Sequence, residues 1–439
     1  MGARTWKPLQ GILNRPLWQW LIVGLVLRLA LAPWFGHWYD SRIFMAVGAG
    51  VANGESPYST YNLTQLFPGV QAIIHGDETG VLYGIGYPPL WGVITAALYE
   101  GSYATTHNLN VYMFALKLPV ILGDIAFALV LARFVSGATG SWDSGDLAAK
   151  VWLVCPFVLL SGVVWGQMDI LPLLFIVLST YYLLRGNWLA GAVLLAIADG
   201  FKPLGIVILP VLAAFLWKKG SIRNAVYFTA ANLLCFAALS VGLLLALHWP
   251  LGGFLASQTY QISGVIGGGS LFIVWTAASA VLTGSEPYLI TPALGVLWVV
   301  AAVAVSLLYV YRNGGTDARA LVFWELAAVL ASFASRTFVN DPQFIVPASL
   351  FLILILLDRA RTVKPFWIAT GLLTLFVVVH APMLSFPWIE STYSVDLSQS
   401  LLASFTWTLV KWLGSAAVIC VTYWYFGKNL WRLRGMSRA

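Results

Sequence analysis

Hydrophobic residues fill this chain in long runs, and polar positions are largely confined to the breaks between them. A run of roughly 20 apolar residues crosses about 30 Å of hydrocarbon as a helix. In lipid, only a helix or a closed barrel satisfies its own backbone. On that pattern, span 1 covers about 17–35, span 2 about 111–134, span 3 about 150–165 and span 4 about 170–184. Two short pieces, about 188–199 and 203–217, follow as spans 5 and 6, joined by Asp199-Gly-Phe-Lys202-Pro203. Span 7 is expected at about 223–247, and spans 8 to 12 at about 289–311, 319–334, 343–358, 365–381 and 401–427. A shorter apolar stretch at about 88–103 has no basic residue after it and reads as interfacial or re-entrant, and another short helix is expected at about 270–283. The prediction is an all-α polytopic membrane protein with about twelve transmembrane helices, a single integral membrane domain over 1–439 without an internal repeat.

Composition agrees with the pattern: 60% of residues are hydrophobic, 9% are charged, and mean hydropathy is +0.83. The 21 Trp, 18 Tyr and 24 Phe suit aromatic belts and loop packing. A net charge of +7 raises the question of nucleic acid, but a basic stripe interleaved with aromatics is absent. The cations instead cluster beside apolar runs: Arg4/Lys7/Arg15, Lys218/Lys219/Arg223, Arg312/Arg319, Arg359/Arg361/Lys364 and Lys428/Arg432/Arg434/Arg438. Basic loops stay cytoplasmic, which puts both termini and the Gly/Ser/Asp loop 136–149 inside and the segments 36–110, 248–287, 335–343 and 380–400 outside. All but Arg28, Arg42, Lys117, Lys202, Arg336 and Lys411 of the 24 Lys and Arg then lie inside. Cations on the other side, or within spans, need a reason.

Several chemistries find no support. Cys155, Cys235 and Cys420 sit inside apolar runs, against a disulfide framework or a cysteine metal site. The histidines (His37, His75, His107, His248, His380) have no ligand spacing, and Asp77-Glu78 reads as a solvated pair. Gly267-Gly-Gly269 reads as loop flexibility rather than a phosphate cradle. Span 1 lacks a small-residue cleavage site and is expected to stay in the mature chain. No cofactor is implied.

Asp40, where span 1 leaves the membrane, is the first candidate. It can accept a proton from a hydroxyl, or simply cap a helix beginning near Ser41. Lys202 and Arg336 put two cations near one membrane face, where Arg can grip phosphate oxygens and Lys acts as a point charge. The bland alternative pairs Lys202 with Asp199 and Arg336 with Asp341. Trp165, Gln167 and Asp169 offer donors and acceptors to sugar hydroxyls, or form a plain turn. Pro88 and Pro89 after Tyr87 suit a stiff first turn. Asp124 and Lys117, in span 2, read as packing or ion-pair residues.

Taken in order, Asp40, Ser56-Pro-Tyr58, Tyr87-Pro-Pro-Leu90, Trp165-Gly-Gln-Met-Asp169, Phe201-Lys-Pro203 and Arg336 through Gln343 resemble the GT-C superfamily of glycosyltransferases that use polyprenyl- or dolichyl-phosphate sugars. The pattern is similar to the endoplasmic-reticulum glucosyltransferases of N-glycan assembly and the first GPI mannosyltransferase. It most resembles the prokaryotic polyprenyl-phosphate-mannose-dependent mannosyltransferase-like proteins. The likeness covers roughly 17–217 and 335–358. It departs at Asn340-Asp-Pro-Gln-Phe344, where Pro342 removes a backbone donor.

The resemblance implies a catalytic module over 17–247 and a variable C-terminal part over 248–439. It implies an inverting enzyme that moves a sugar, mannose by analogy, to a hydroxyl on a glycolipid, cell-wall glycan or protein. Asp40 would be the general base, Lys202 and Arg336 would bind the donor phosphate, and Arg42, Tyr87, Trp165, Gln167, Asp169, Asn340, Asp341 and Gln343 would bind sugar or acceptor. The site would face outward from the plasma membrane. A transporter or lipid flippase built around the short 188–217 helices is the alternative.

Overall fold

A computed structural model describes residues 17–67, 81–82, 84–263, 267–283, 292–312, 315–358, 362–381 and 405–435. His75, Asp77-Glu78, Arg4, Lys7, Arg15, Arg359, Arg361, Arg438 and residues 382–400 of the last outer loop lie outside these.

Helices account for nearly all of the architecture. In chain order they are α1 (Leu17–Leu31), α2 (Trp38–Ala52), α3 (Leu90–Glu100), α4 (Leu109–Thr139), α5 (Trp142–Leu153), α6 (Pro156–Leu159), α7 (Ile170–Leu184), α8 (Trp188–Phe201) and α9 (Gly205–Lys219). They continue as α10 (Ile222–Ala246), α11 (Leu251–Ser263), α12 (Ile273–Thr283), α13 (Leu297–Tyr311), α14 (Ala318–Ser335), α15 (Ile345–Leu356), α16 (Lys364–His380) and α17 (Phe405–Gly435). Two-residue strands supply small clips: Tyr61–Asn62 pairs antiparallel with Val81–Leu82, and Gly267–Gly268 pairs parallel with Phe338–Val339.

Among the described residues, four helices are long and apolar enough to cross a membrane: Leu109–Thr139, Ile222–Ala246, Leu294–Tyr311 and Ala318–Ser335. The count reaches five if Trp142–Leu153 and Pro156–Val164, bent by 53°, form one broken span. Shorter apolar helices include α1, α7, α8, α12 and α16. Lipid and protein contacts explain the mixture. On α1 only Leu17, Gly24 and Arg28 are buried, while Trp18, Trp20, Ile22 and Val26 face outward. Every residue of α15 is buried, the mark of a helix enclosed by other helices rather than by solvent or lipid.

Two expectations change. Residues 136–149 are not a loop: α4 runs to Thr139, and α5 starts at Trp142. Gly140 takes the left-handed conformation (φ 71°) that closes α4, and the Ser141 side chain caps α5. Gly145 lets α5 press against α4, since a Cβ there would lie 2.2 Å from the Ala132 carbonyl oxygen. Gly267–Gly269 is a close approach rather than a flexible loop. A Cβ on Gly268 would lie 2.2 Å from the Val339 oxygen, one on Gly269 would lie 2.1 Å from the Phe344 ring, and Gly269 N–H donates to Val339 O at 2.7 Å.

Asp124 is an ion-pair residue, as the sequence suggests, and Lys117 binds backbone carbonyls. Asp124 takes Arg28 Nε at 2.6 Å and Trp152 Nε1 at 2.7 Å. Lys117 Nζ donates to the Ala32 and Phe35 carbonyls, clamping the chain as it leaves α1.

Candidate active site

The segment after α1 determines where Asp40 sits. His37, not Asp40, is the N-cap of α2, with the Asp40 N–H donating to His37 Nδ1 at 3.2 Å. That overturns the capping expectation and places the Asp40 carboxylate in the first turn of α2. The His37 ring stacks on Trp165 with centroids 4.3 Å apart and 4° between planes. His37 N–H also donates to the Trp165 carbonyl at 2.9 Å.

A deformed helix aims Trp165. α6 passes into a π-turn, Leu160–Val164, and Trp165 N–H reaches back to Leu160 O at 2.8 Å. Such turns widen a helix locally and recur at functional sites. Gly166 then reverses the chain at φ 85°, a conformation natural to glycine. The result is that Trp165 Nε1 and Gln167 Nε2 both donate to one Asp40 oxygen, Oδ2, each at 2.6 Å. Among the described residues no hydrogen bond reaches Oδ1, and the side chain keeps 15% of its exposure.

Tyr87 stands beside this carboxylate. Tyr58 O–H donates to the Tyr87 carbonyl at 3.0 Å, and Ile85 N–H donates to Pro57 O at 2.9 Å, so Ser56-Pro-Tyr58 braces the Tyr87 turn. Pro89 caps α3, as the paired prolines suggest. Lys202 Nζ lies 4.8 Å from the centre of the Tyr87 ring.

Lys202 breaks the chain between α8 and α9 and is buried. Its partner is Asp169, with Nζ 2.8 Å from Oδ1, and not Asp199. Asp199 instead accepts the Ile206 N–H at 3.0 Å, capping α9. Burial alone would pull the Lys202 ammonium down, but Asp169, then Tyr87 and Asp40, hold it above the usual lysine range. The ion pair with Asp169 thus favours the charged form of the lysine at the base of the site.

Arg336 ends α14 and is half-buried, 5.7 Å from the Trp298 ring centre. Burial lowers its pKa, and the nearby Tyr87 and Asp169 offset that. Among the described residues it has neither hydrogen bond nor ion pair through its side chain. Asp341 is not its partner: Asp341 Oδ2 lies 2.8 Å from His380 Nδ1. Pro342 fits the second position of the short turn Asp341–Phe344, where no backbone donor is required. Gln343 Oε1 accepts the Asn340 N–H at 3.2 Å, so this glutamine closes its own turn. Arg42 is 1% exposed within α2, as deeply set as Asp169.

The structure thus brings Asp40, Trp165, Gln167, Tyr87, Asp169, Lys202 and Arg336 into one neighbourhood. Asn340, Asp341 and Gln343 form an adjoining turn. His37 and His380 escaped the sequence reading. His37 shares an electrostatic neighbourhood with Asp40, Asp341, His380 and Lys411, and burial pushes its pKa below the usual histidine value. Only its place three residues before Asp40, the spacing from a cap to the first turn, hinted at its role. Among the described residues, no three His, Cys, Asp or Glu side chains gather as a metal ion would require.

The helices that carry these groups have cations at their far ends: α7 runs from Asp169 to Arg185, α9 from Lys202 to Lys218 and Lys219, and α14 from Arg336 back to Arg319. Comparison with protein-family models finds no match, and comparison with curated proteins finds none either.

Proposed function

We propose that this is an inverting glycosyltransferase of the GT-C type, taking a sugar from a polyprenyl- or dolichyl-phosphate donor. The observation that carries the reading is the division of labour at Asp40: Oδ2 is held by two N–H donors, and among the described residues Oδ1 accepts no hydrogen bond. A carboxylate oriented in this way suits a general base. In the step, Asp40 takes the proton of the acceptor hydroxyl, the acceptor oxygen bonds to the anomeric carbon, and the sugar–phosphate C–O bond breaks. The lipid monophosphate leaves with the electron pair.

Two cations are available to that leaving group, in unequal ways. Among the described residues the Arg336 guanidinium has no hydrogen-bond or ion-pair partner, and it suits direct contact with the phosphate. Lys202 is held by Asp169 and acts through its charge from below. Fixed positive charge where negative charge develops is the largest contribution in many such reactions. Tyr87, Trp165 and Asp169 would shape the sugar pocket, and mannose is the sugar the resemblance favours. The acceptor would be a glycolipid, cell-wall glycan or protein.

The finer topology belongs to the same proposal: about twelve crossings in a GT-C-like fold, with the basic ends cytoplasmic. The site then opens on the outer face of the plasma membrane.

The test is Asp40→Asn, assayed in membranes with labelled polyprenyl-phosphate sugar. Amide for carboxylate preserves both N–H contacts' acceptor oxygen and removes the base. Transfer is expected to fall about 10³-fold with unchanged protein yield. Wild-type rates in the variant would remove Asp40 from the mechanism.

A further inference from the structure

A second site lies at the opposite end of α9 from Lys202. A cavity of about 500 Å³ opens between α9, α10 and α13, walled by Ala213, Trp217, Val226, Leu233, Val303 and Leu307. Most of these side chains point out of the bundle, so in a membrane the cleft faces lipid. From Ile222 to Leu233 its α10 wall rises about 16 Å, roughly half of a 30 Å hydrocarbon core. That height matches one leaflet.

The cleft ends among cations. Trp217 precedes Lys218-Lys219, Ile222 precedes Arg223, and Val310 lies two residues before Arg312. Lys218 Nζ donates to Tyr309 O at 3.0 Å and Arg312 O at 2.6 Å, tying the α9 wall to the α13 wall. Lys219, Arg223 and Arg312 remain exposed.

We propose that this cleft binds one anionic glycerophospholipid, with an acyl chain between α9, α10 and α13 and its phosphate against Lys219, Arg223 and Arg312. Basic pockets between membrane helices select anionic headgroups by this arrangement. The other occupants fit less well. A second copy of the chain, docked by the same face, would bring like charges together. A polyprenyl donor has its phosphate at the site near Lys202, about 22 Å away along α9. The cleft and its cations stand without the sugar-transfer reading, and only the exclusion of a polyprenyl occupant rests on it.

Native mass spectrometry of the full chain, released from vesicles of equal phosphatidylcholine and phosphatidylglycerol, tests it. One phosphatidylglycerol should be retained over phosphatidylcholine by about tenfold. The surface variant Lys219→Gln/Arg223→Gln/Arg312→Gln should lose that preference, and Ala213→Phe, which fills the cleft with the charges intact, should lose the bound lipid. Equal retention of the two lipids, an unaltered preference in either variant, preferential retention of added polyprenyl phosphate, or a dimer abolished by Ala213→Phe would each overturn the proposal.

Discussion

Asp124 and Asp40 are both carboxylates drawn into the protein, and both accept a hydrogen bond from a tryptophan N–H, Trp152 for one and Trp165 for the other. Around Asp124 both oxygens are occupied, and Arg28 adds hydrogen bonds from Nη1 to the Gly24 and Leu153 carbonyls, each at 2.9 Å. That cluster ties α1, α4 and α5 together. Around Asp40 no hydrogen bond among the described residues reaches Oδ1, and none among them engages the Arg336 side chain. The two clusters differ in which carboxylate atoms are engaged: both Asp124 oxygens are, although the buried Arg28 Nη2 has no partner among the described residues, whereas at Asp40 the two N–H donors share one oxygen.

Substitution at the two carboxylates sharpens the contrast. Asp124→Ala strands the Arg28 guanidinium in an apolar interior and should cost about 3–5 kcal/mol, read as loss of monodisperse protein or a lowered Tm in detergent. Asp40→Asn should leave Tm unchanged while sugar transfer collapses. If both variants instead lost stability in parallel, the functional distinction between the clusters would be gone.

A smaller effect distinguishes the two cations. Arg336→Lys keeps the charge but loses the planar fork that can meet two phosphate oxygens. Transfer should fall by about 10- to 100-fold, and the loss should be larger with the intact phosphate donor than in thermal stability. Unchanged kcat/KM for the donor would show that Arg336 contributes general field alone, or none.

Much of the helical frame was legible in the hydropathy, because lipid demands long apolar runs. The break at Lys202-Pro203 and the helix starting after Pro88-Pro89 were legible for a related reason, since proline restricts where a helix can continue. The region 136–149 was misread because Gly, Ser and Asp are loop-formers by composition. There they serve instead as a cap, a left-handed turn and a close helix contact, roles that only the packed partner reveals. The site was legible as an order of motifs but not as a set of bonds. Lys202 has Asp199 three residues away, yet it pairs with Asp169, because the start of α9 claims the Asp199 carboxylate. No local spacing announces that exchange. His380 meeting Asp341 was equally hidden, being a contact across the bundle between α16 and the turn before α15.

The gentlest way to probe the open side of the comparison is pH. Burial first, against the opposing pull of Asp40 and Asp341, holds the His37 pKa below its usual value, so the neutral ring can accept the Asp40 N–H at Nδ1. In the unfolded chain this histidine takes up a proton near pH 6.5. Below that point the unfolded state binds more protons than the folded one, so stability is fully present above about pH 6.5 and is lost as pH falls toward the folded value. Each pKa unit of displacement is worth about 1.4 kcal/mol. His37→Asn keeps an acceptor at the cap and removes the titration, so its Tm should fall less than wild type between pH 7 and pH 5. Transfer by the wild type should weaken over the same acid range, as protonation costs α2 the cap that orients Asp40. Parallel Tm curves for the two proteins would mean that His37 is not what ties the site's geometry to pH, whatever the carboxylate beside it does.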